Sequence, residues 1–264
     1  MSEFILKKKE TEVTRLAGGD HERGSAKIHS AAPCLGAHIR TKTEWDALTA
    51  DELDLFNRNV VCRNYKAGQI IFLQDDPCKG LYFVEEGLVA VRKVDVEGQS
   101  AIVRLAYQGD TLGYRPLLAK ENHRATAEVI KDARICFVDA PTMRRLLHSN
   151  PKLGMRFLEH TAQALGEAEE RLFQVAALSV RTRIIHILIL LRDRYGRTTS
   201  DGTLFVDLPM TQRDLANMIG ARPESVSRAF REIQDDGLLD LSGRTVRVAQ
   251  VARLIDDLQH NLHH

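Results

Sequence analysis

No apolar run in this chain approaches the ~20 residues that cross a bilayer. The longest, IIHILILL, is short and broken by His186. The opening MSEFILKKKE lacks the apolar core of a secretory signal. These two absences predict a cytoplasmic protein with no membrane partner. Cysteine is scarce: Cys34, Cys62, Cys78 and Cys136 are too widely spaced to form a disulfide framework, so four reduced thiols are expected. Charge of one sign is also missing. The net charge is +1, so any attraction to nucleic acid must come from a local patch. The strand-rich stretch 69–138 holds no tight His/Glu/Asp cluster of the kind a metalloenzyme needs, so no enzyme and no metal site are expected.

The 264 residues suggest two domains, and a 44% hydrophobic content is enough for a sizeable core. Residues 1–44 are polar and aperiodic and read as a mobile N-terminal arm. From 45 to 149 short strand-like runs such as YKAGQIIF, LYFVEEGLVAV and ARICFVDA alternate with glycines, which predicts an antiparallel β-roll. TEWDALTADELDLFNRN, ahead of these runs, reads as a short helix capping one end. Residues 150–180 carry Leu158, Leu165 and Leu172 at a seven-residue repeat, with Thr161, Ala168 and Val175 between them. That spacing predicts a long helix with a homodimer seam.

Residues 181–264 read as a winged helix-turn-helix. Leu215 and Ile219 lie on one side of Gly220, and Val226, Ala229, Phe230 and Ile233 on the other, at helical spacing. Thr211 is a candidate N-cap, Gly220 a stop, and Pro223 a helix start. LFVDLP, at 204–209, reads as a strand, and GLLDLSGRTVRVAQ as a hairpin turning at Ser242 and Gly243. Glu224, Ser227 and Arg228 share one stripe near the start of the second helix, the end that reaches base edges in a major groove. Arg228 suits guanine, Glu224 a cytosine or adenine amino group, and Ser227 a thymine methyl. Thr211, Gln212, Arg213 and Arg231 lie where phosphates of double-stranded DNA would pass.

These parts together resemble the cyclic-AMP-receptor/FNR (CRP/FNR) family of bacterial transcription regulators. The resemblance covers 45–248 and rests on KAGQIIF, LYFVEEGLVAV, GDTLG and MTQRDLANMIGARPESVSRAFREIQDDGLL. It implies an α+β chain: a cyclic-nucleotide-binding-like β-roll, a long dimerisation helix and a C-terminal winged helix-turn-helix. Glu224, Ser227 and Arg228 match the Glu-x-x-Ser-Arg pattern of the FNR branch, which implies a palindromic TTGAT-type site. Homodimers and contact with RNA polymerase are implied as well.

The resemblance says less about the signal. Arg124 falls in register with the arginine that grips the nucleotide phosphate, but Tyr114 stands at the ribose glutamate and Ala125 at the phosphate serine. Cyclic AMP is therefore disfavoured, since a buried polar contact worth about 1–3 kcal/mol is missing. Cys136 resembles the distal ligand of the family's oxygen-sensing 4Fe–4S cluster, but the arm offers only Cys34, with His29 and His38 nearby. Such a cluster needs four ligands and is disfavoured too. A small organic effector such as an aromatic acid is expected, oriented by Tyr114, Arg115 and Arg124 beside Leu117 and Leu118. A haem- or redox-based sensor of NO, CO or O2 is the second candidate, with His123, His160 or Cys78 as the axial ligand of a haem.

Overall fold

The computed structural model describes residues 43–98 and 100–262. Most of the predicted arm, with His29, Cys34 and His38, therefore lies outside the described residues. A 3-10 turn at Glu44–Ala47 and helix α1 at Ala50–Asn59 open the chain. Thr49 and Glu52 form a capping box that starts α1. Trp45 and Phe56 are buried beneath it, and Glu44, at the predicted end of the arm, is buried as well.

Strands β1 (Val61–Tyr65), β2 (Ile70–Phe72), β3 (Gly80–Val94), β4 (Ser100–Tyr107), β5 (Thr111–Leu112) and β6 (Thr126–Asp139) build the roll. All pair antiparallel in the order β1-β6-β3-β4, with β2 added on β6 and β5 on β3. Register shifts around Glu86 bend the β3–β6 pair. At the bend Gly87 takes a φ of +102°, and a Cβ there would lie 2.5 Å from that of Ala133, so only glycine lets the strands meet. A short helix, α2 (Tyr114–Ala119), follows β5 within the stretch that the sequence placed in the roll.

Cys62 on β1 and Cys136 on β6 are direct register partners and form a disulfide. This corrects the expectation of four reduced thiols. The two are 74 residues apart, and it is sheet register that joins them, which cysteine spacing does not reveal. Cys78 is free.

Helix α3 (Ala140–Ser149) leads to the long helix α4 (Pro151–Ala177). Asn150 caps α4 through Leu153 N–H and also donates to Ala47 O, fastening the helix root to the opening turn. One face buries Leu153 and Phe157 against the roll. Leu158, Leu165 and Leu172 lie 58%, 60% and 72% exposed, a line of large apolar side chains left mostly uncovered by the described residues.

Ser179 caps α5 (Val180–Tyr195), which backs the C-terminal unit. That unit contains β7 (Gly196–Thr198), β8 (Leu204–Asp207), α6 (Gln212–Met218), α7 (Pro223–Asp235), β9 (Asp240–Ser242), β10 (Thr245–Val248) and α8 (Val251–Leu262). Its sheet order is β7-β8-β10-β9, with the wing hairpin at β9–β10. The unit does not stand apart from the roll. Leu88, Ala90, Ile102 and Leu105 join Leu215, Phe230 and their neighbours in one buried cluster. Arg92 of β3 ties the two units together, its Nη1 lying 2.6 Å from Asp214 Oδ1 while its Nε binds Glu128. Asn217 Nδ2 donates to Ser100 O at 2.7 Å. Burial opposes the charge on Arg92, but the Asp214 and Glu128 carboxylates outweigh it and hold the guanidinium above its ordinary value.

Candidate nucleic-acid interface and ligand pocket

The turn between α6 and α7 is held by a local cap and by contacts from α4 and α5. Thr211 and Asp214 form a capping box at the start of α6. Gly220, with φ +64°, ends the helix, and a Cβ there would sit 3.0 Å from Val175 Cγ2 on α4. Arg183 of α5 reaches underneath and donates through Nη1 to the carbonyls of Ile219 and Gly220. It is 9% exposed, and burial lowers its pKa. Sequence reasoning missed this arginine; only its place in an apolar helix could have flagged it. Arg183→Met leaves the buried Ile219 carbonyl without its donor and removes the longer bond to Gly220 O. It is expected to lower the unfolding free energy by about 1.5–3 kcal/mol, measurable by denaturant titration. An unchanged midpoint would show that the turn holds without it.

Pro223 occupies the first turn of α7, and Val226, Ala229, Phe230 and Ile233 are its buried face. Glu224, Arg228 and Arg231 are exposed, and Ser227 is half-buried at the edge of the same stripe. Arg213 is exposed and Gln212 half-buried on α6. Glu224, Ser227, Arg228, Arg213 and Arg231 make no side-chain hydrogen bond or ion pair with any described residue. Thr211 differs: its hydroxyl donates to Asp214 Oδ2 at 2.8 Å and accepts from Asp214 N–H. Its hydroxyl is engaged as the cap of α6.

Tyr114, Arg115 and Arg124 line one cavity of about 320 Å³ in the roll. Its apolar wall is Phe72, Val91, Val103 and Leu112, with Ala164 contributed by α4. Leu117 and Leu118, the expected floor, are elsewhere: Leu117 is core, and Leu118 is 46% exposed. Short helix α2 turns both away. Tyr114 is packed against Phe157 and His160 of α4. Lys93 and Arg104 join Arg115 and Arg124 around the cavity, and sequence reasoning named neither of them. Glu121 pairs with Arg124 at 2.8 Å and Arg115 at 3.4 Å, so a resident carboxylate already spans the two arginines.

Lys93 and Arg124 also line a second cavity, of about 670 Å³, between the roll and the C-terminal unit, with Asn217 on its far side. The three candidate haem ligands are engaged in other contacts. His123 is buried and stacked on Phe72 at 3.8 Å, and burial, aided by Arg115, holds its pKa below the ordinary histidine value. His160 Nδ1 lies 3.6 Å from Glu44 Oε2. Cys78 Sγ donates to Gly80 O and Gly113 O, and burial pushes its thiol up. Among the described residues, Cys62, Glu85 and Cys136 bring three metal-type donors within 4.8 Å, with both sulfurs taken up by the disulfide.

Residues 62–150 match a family model described as a cyclic nucleotide-binding domain, and residues 182–256 one described as a Crp-like helix-turn-helix domain. The transcriptional regulatory protein btr of Bordetella pertussis is 24% identical over 84% of this chain and 90% of its own length. The transcriptional activator protein FnrL of Cereibacter sphaeroides is 26% identical over 85% of this chain and 91% of its own. The solved structure of FixK2 from Bradyrhizobium japonicum shares the fold, with a TM-score of 0.63 at 24% identity, over 75% of this chain and 96% of that one. A cyclic-nucleotide-type roll joined through a long helix to a Crp-like reading unit is the make-up of regulators rather than enzymes, and the chain belongs to the CRP/FNR family of transcription regulators.

Proposed function

We propose that the chain works in the cytoplasm as a homodimer that reads a palindromic TTGAT-type site, with RNA polymerase as its further partner. Glu224, Ser227 and Arg228 read bases, while Arg231, Arg213 and Gln212 position the duplex. The observation that supports this reading is the stripe on α7, whose side-chain donors and acceptors have no partner among the described residues. Side chains held free on a rigid helix suit base-edge contacts. A gel shift with a TTGAT–N4–ATCAA duplex tests it; equal affinity for a scrambled duplex would end the reading.

The signal, in this reading, is a small organic anion in the roll cavity, held by Tyr114, Arg115 and Arg124. The volume lies at the low end of the ~300–1,000 Å³ that small-molecule sites span, and its cations face an apolar wall. Arg124 lines both this cavity and the cleft against Asn217. An anion that draws Arg124 from Glu121 acts on the seat of the C-terminal unit. An effector that raises operator affinity a hundredfold must prefer the operator-competent state by about 2.7 kcal/mol, and the operator must tighten the effector equally. Calorimetry with a panel of aromatic acids and cyclic nucleotides, with and without operator, is expected to show this reciprocity. Arg124→Ala is expected to weaken the bound acid at least tenfold. Equal effector affinity with and without operator would rule out control by that compound, and tight binding of cyclic AMP would overturn the disfavouring of a nucleotide.

A further inference from the structure

The Cys62–Cys136 bond takes no part in either site above. We propose that this pair is a reversible redox site that exchanges with small thiols and disulfides of the glutathione type. The inference rests on the reading that the chain works on DNA in the cytoplasm, where the thiol pool keeps cysteines reduced. In such a compartment a closed pair marks oxidation and is not a permanent staple.

The geometry orders the steps. Cys62 is half-buried on β1, the edge strand of the roll, and gives a small molecule its way in. Cys136 is 2% exposed and directly opposite in register, so it is reached only through Cys62. Glu85 Oε2 lies 3.4 Å from Cys136 Sγ and is held there by Arg134, whose guanidinium offsets the carboxylate charge beside the sulfur. The Cys62 thiolate attacks one sulfur of the oxidised small disulfide, forming a mixed disulfide and releasing one small thiolate, which takes up a proton. Cys136 then passes its proton to Glu85, attacks Cys62 Sγ and releases the second small thiolate, which recovers that proton. Two protein thiols are oxidised, and one small disulfide becomes two small thiols. Cys78 is a poor substitute: its thiol is hydrogen-bonded to Gly80 O and Gly113 O, and burial pushes its pKa up. Closing the bond ties β1 to β6 within the apolar cluster that also seats Leu153 and Phe157, the root of α4.

The test uses the full chain with Cys34→Ser and Cys78→Ser, leaving the pair alone. The protein is equilibrated with reduced and oxidised glutathione over a range of ratios, trapped with an alkylating reagent and weighed by mass spectrometry. Two alkylated thiols in reduced buffer are expected to fall to none in oxidised buffer and to return on reduction. Adding Cys62→Ser is expected to abolish closure. Glu85→Gln is expected to reach the same end point several-fold more slowly, and an unchanged rate would remove Glu85 from the step. A pair that stays closed in reduced buffer, or open in oxidised buffer, overturns the proposal. A gel shift on the same samples separates the two readings: intact operator binding with a failed thiol titration sinks the redox site alone, whereas lost operator binding with a clean titration sinks the DNA reading.

Discussion

Leu165→Glu is expected to leave the protein monomeric by light scattering at micromolar concentration and to remove specific operator binding. Leu165 is 60% exposed at the middle of the line formed with Leu158 and Leu172, so the substitution removes little internal packing. The folded monomer should survive with its circular dichroism unchanged. In a two-fold pair each subunit would bring a carboxylate into the apolar seam, where neither charge finds a partner. A single subunit holds one half-site. Specific sites bind ~10³–10⁷-fold tighter than random DNA, and losing half of those contacts should weaken operator binding on the order of 10²-fold or more. A Leu165→Glu protein that stays dimeric would show that the seam lies elsewhere.

Arg228→Ala carries the second large effect. A bidentate arginine–guanine contact is worth about 1–3 kcal/mol per half-site, and a palindrome loses it twice. Because Arg228 is exposed and makes no side-chain hydrogen bond or ion pair with a described residue, folding stability should stay within ~0.5 kcal/mol of wild type. Selection from a randomised duplex pool should then lose its preference at one guanine and keep it at the other positions. Arg231→Ala should instead weaken all sequences alike and flatten the salt dependence, as expected for a phosphate contact. A pool in which Arg228→Ala retains full preference for the guanine would reassign the reader.

The α6–α7 hairpin was legible because its signals are local. Thr211, Gly220 and Pro223 mark the helix ends, and the apolar residues between them recur at helical spacing. The seven-residue leucine repeat marked α4 in the same way. What stayed hidden depends on contacts far apart in the chain. Cys62 meets Cys136 only through the register of β1 on β6. Arg92 reads as an ordinary strand cation until β3 is laid beside α6. The six residues of α2 follow a left-handed Gly113 with no side-chain cap, too short for any period to emerge. In the pocket, Tyr114 and Arg124 were located through a resemblance and Arg115 as their neighbour, whereas Lys93 and Arg104 come from β3 and β4 and needed the roll closed to converge.

The apolar cluster shared by the roll and the C-terminal unit bears on how much one signal can do. Burying Leu88, Ala90, Ile102 and Leu105 against the C-terminal unit favours the present arrangement by roughly 25 cal/mol for each Å² they would expose on separation. The Arg92–Asp214 pair adds to that preference. Inverting a population ratio from 1:99 to 99:1 takes about 5.5 kcal/mol, a ligand preference of ~10⁴-fold. A ligand with a hundredfold preference supplies about half of that and, starting from such a ratio, brings the two arrangements only to near parity. On the proposed reading the operator supplies the rest, and a regulator built this way would switch fully only where its small molecule and its DNA are present together.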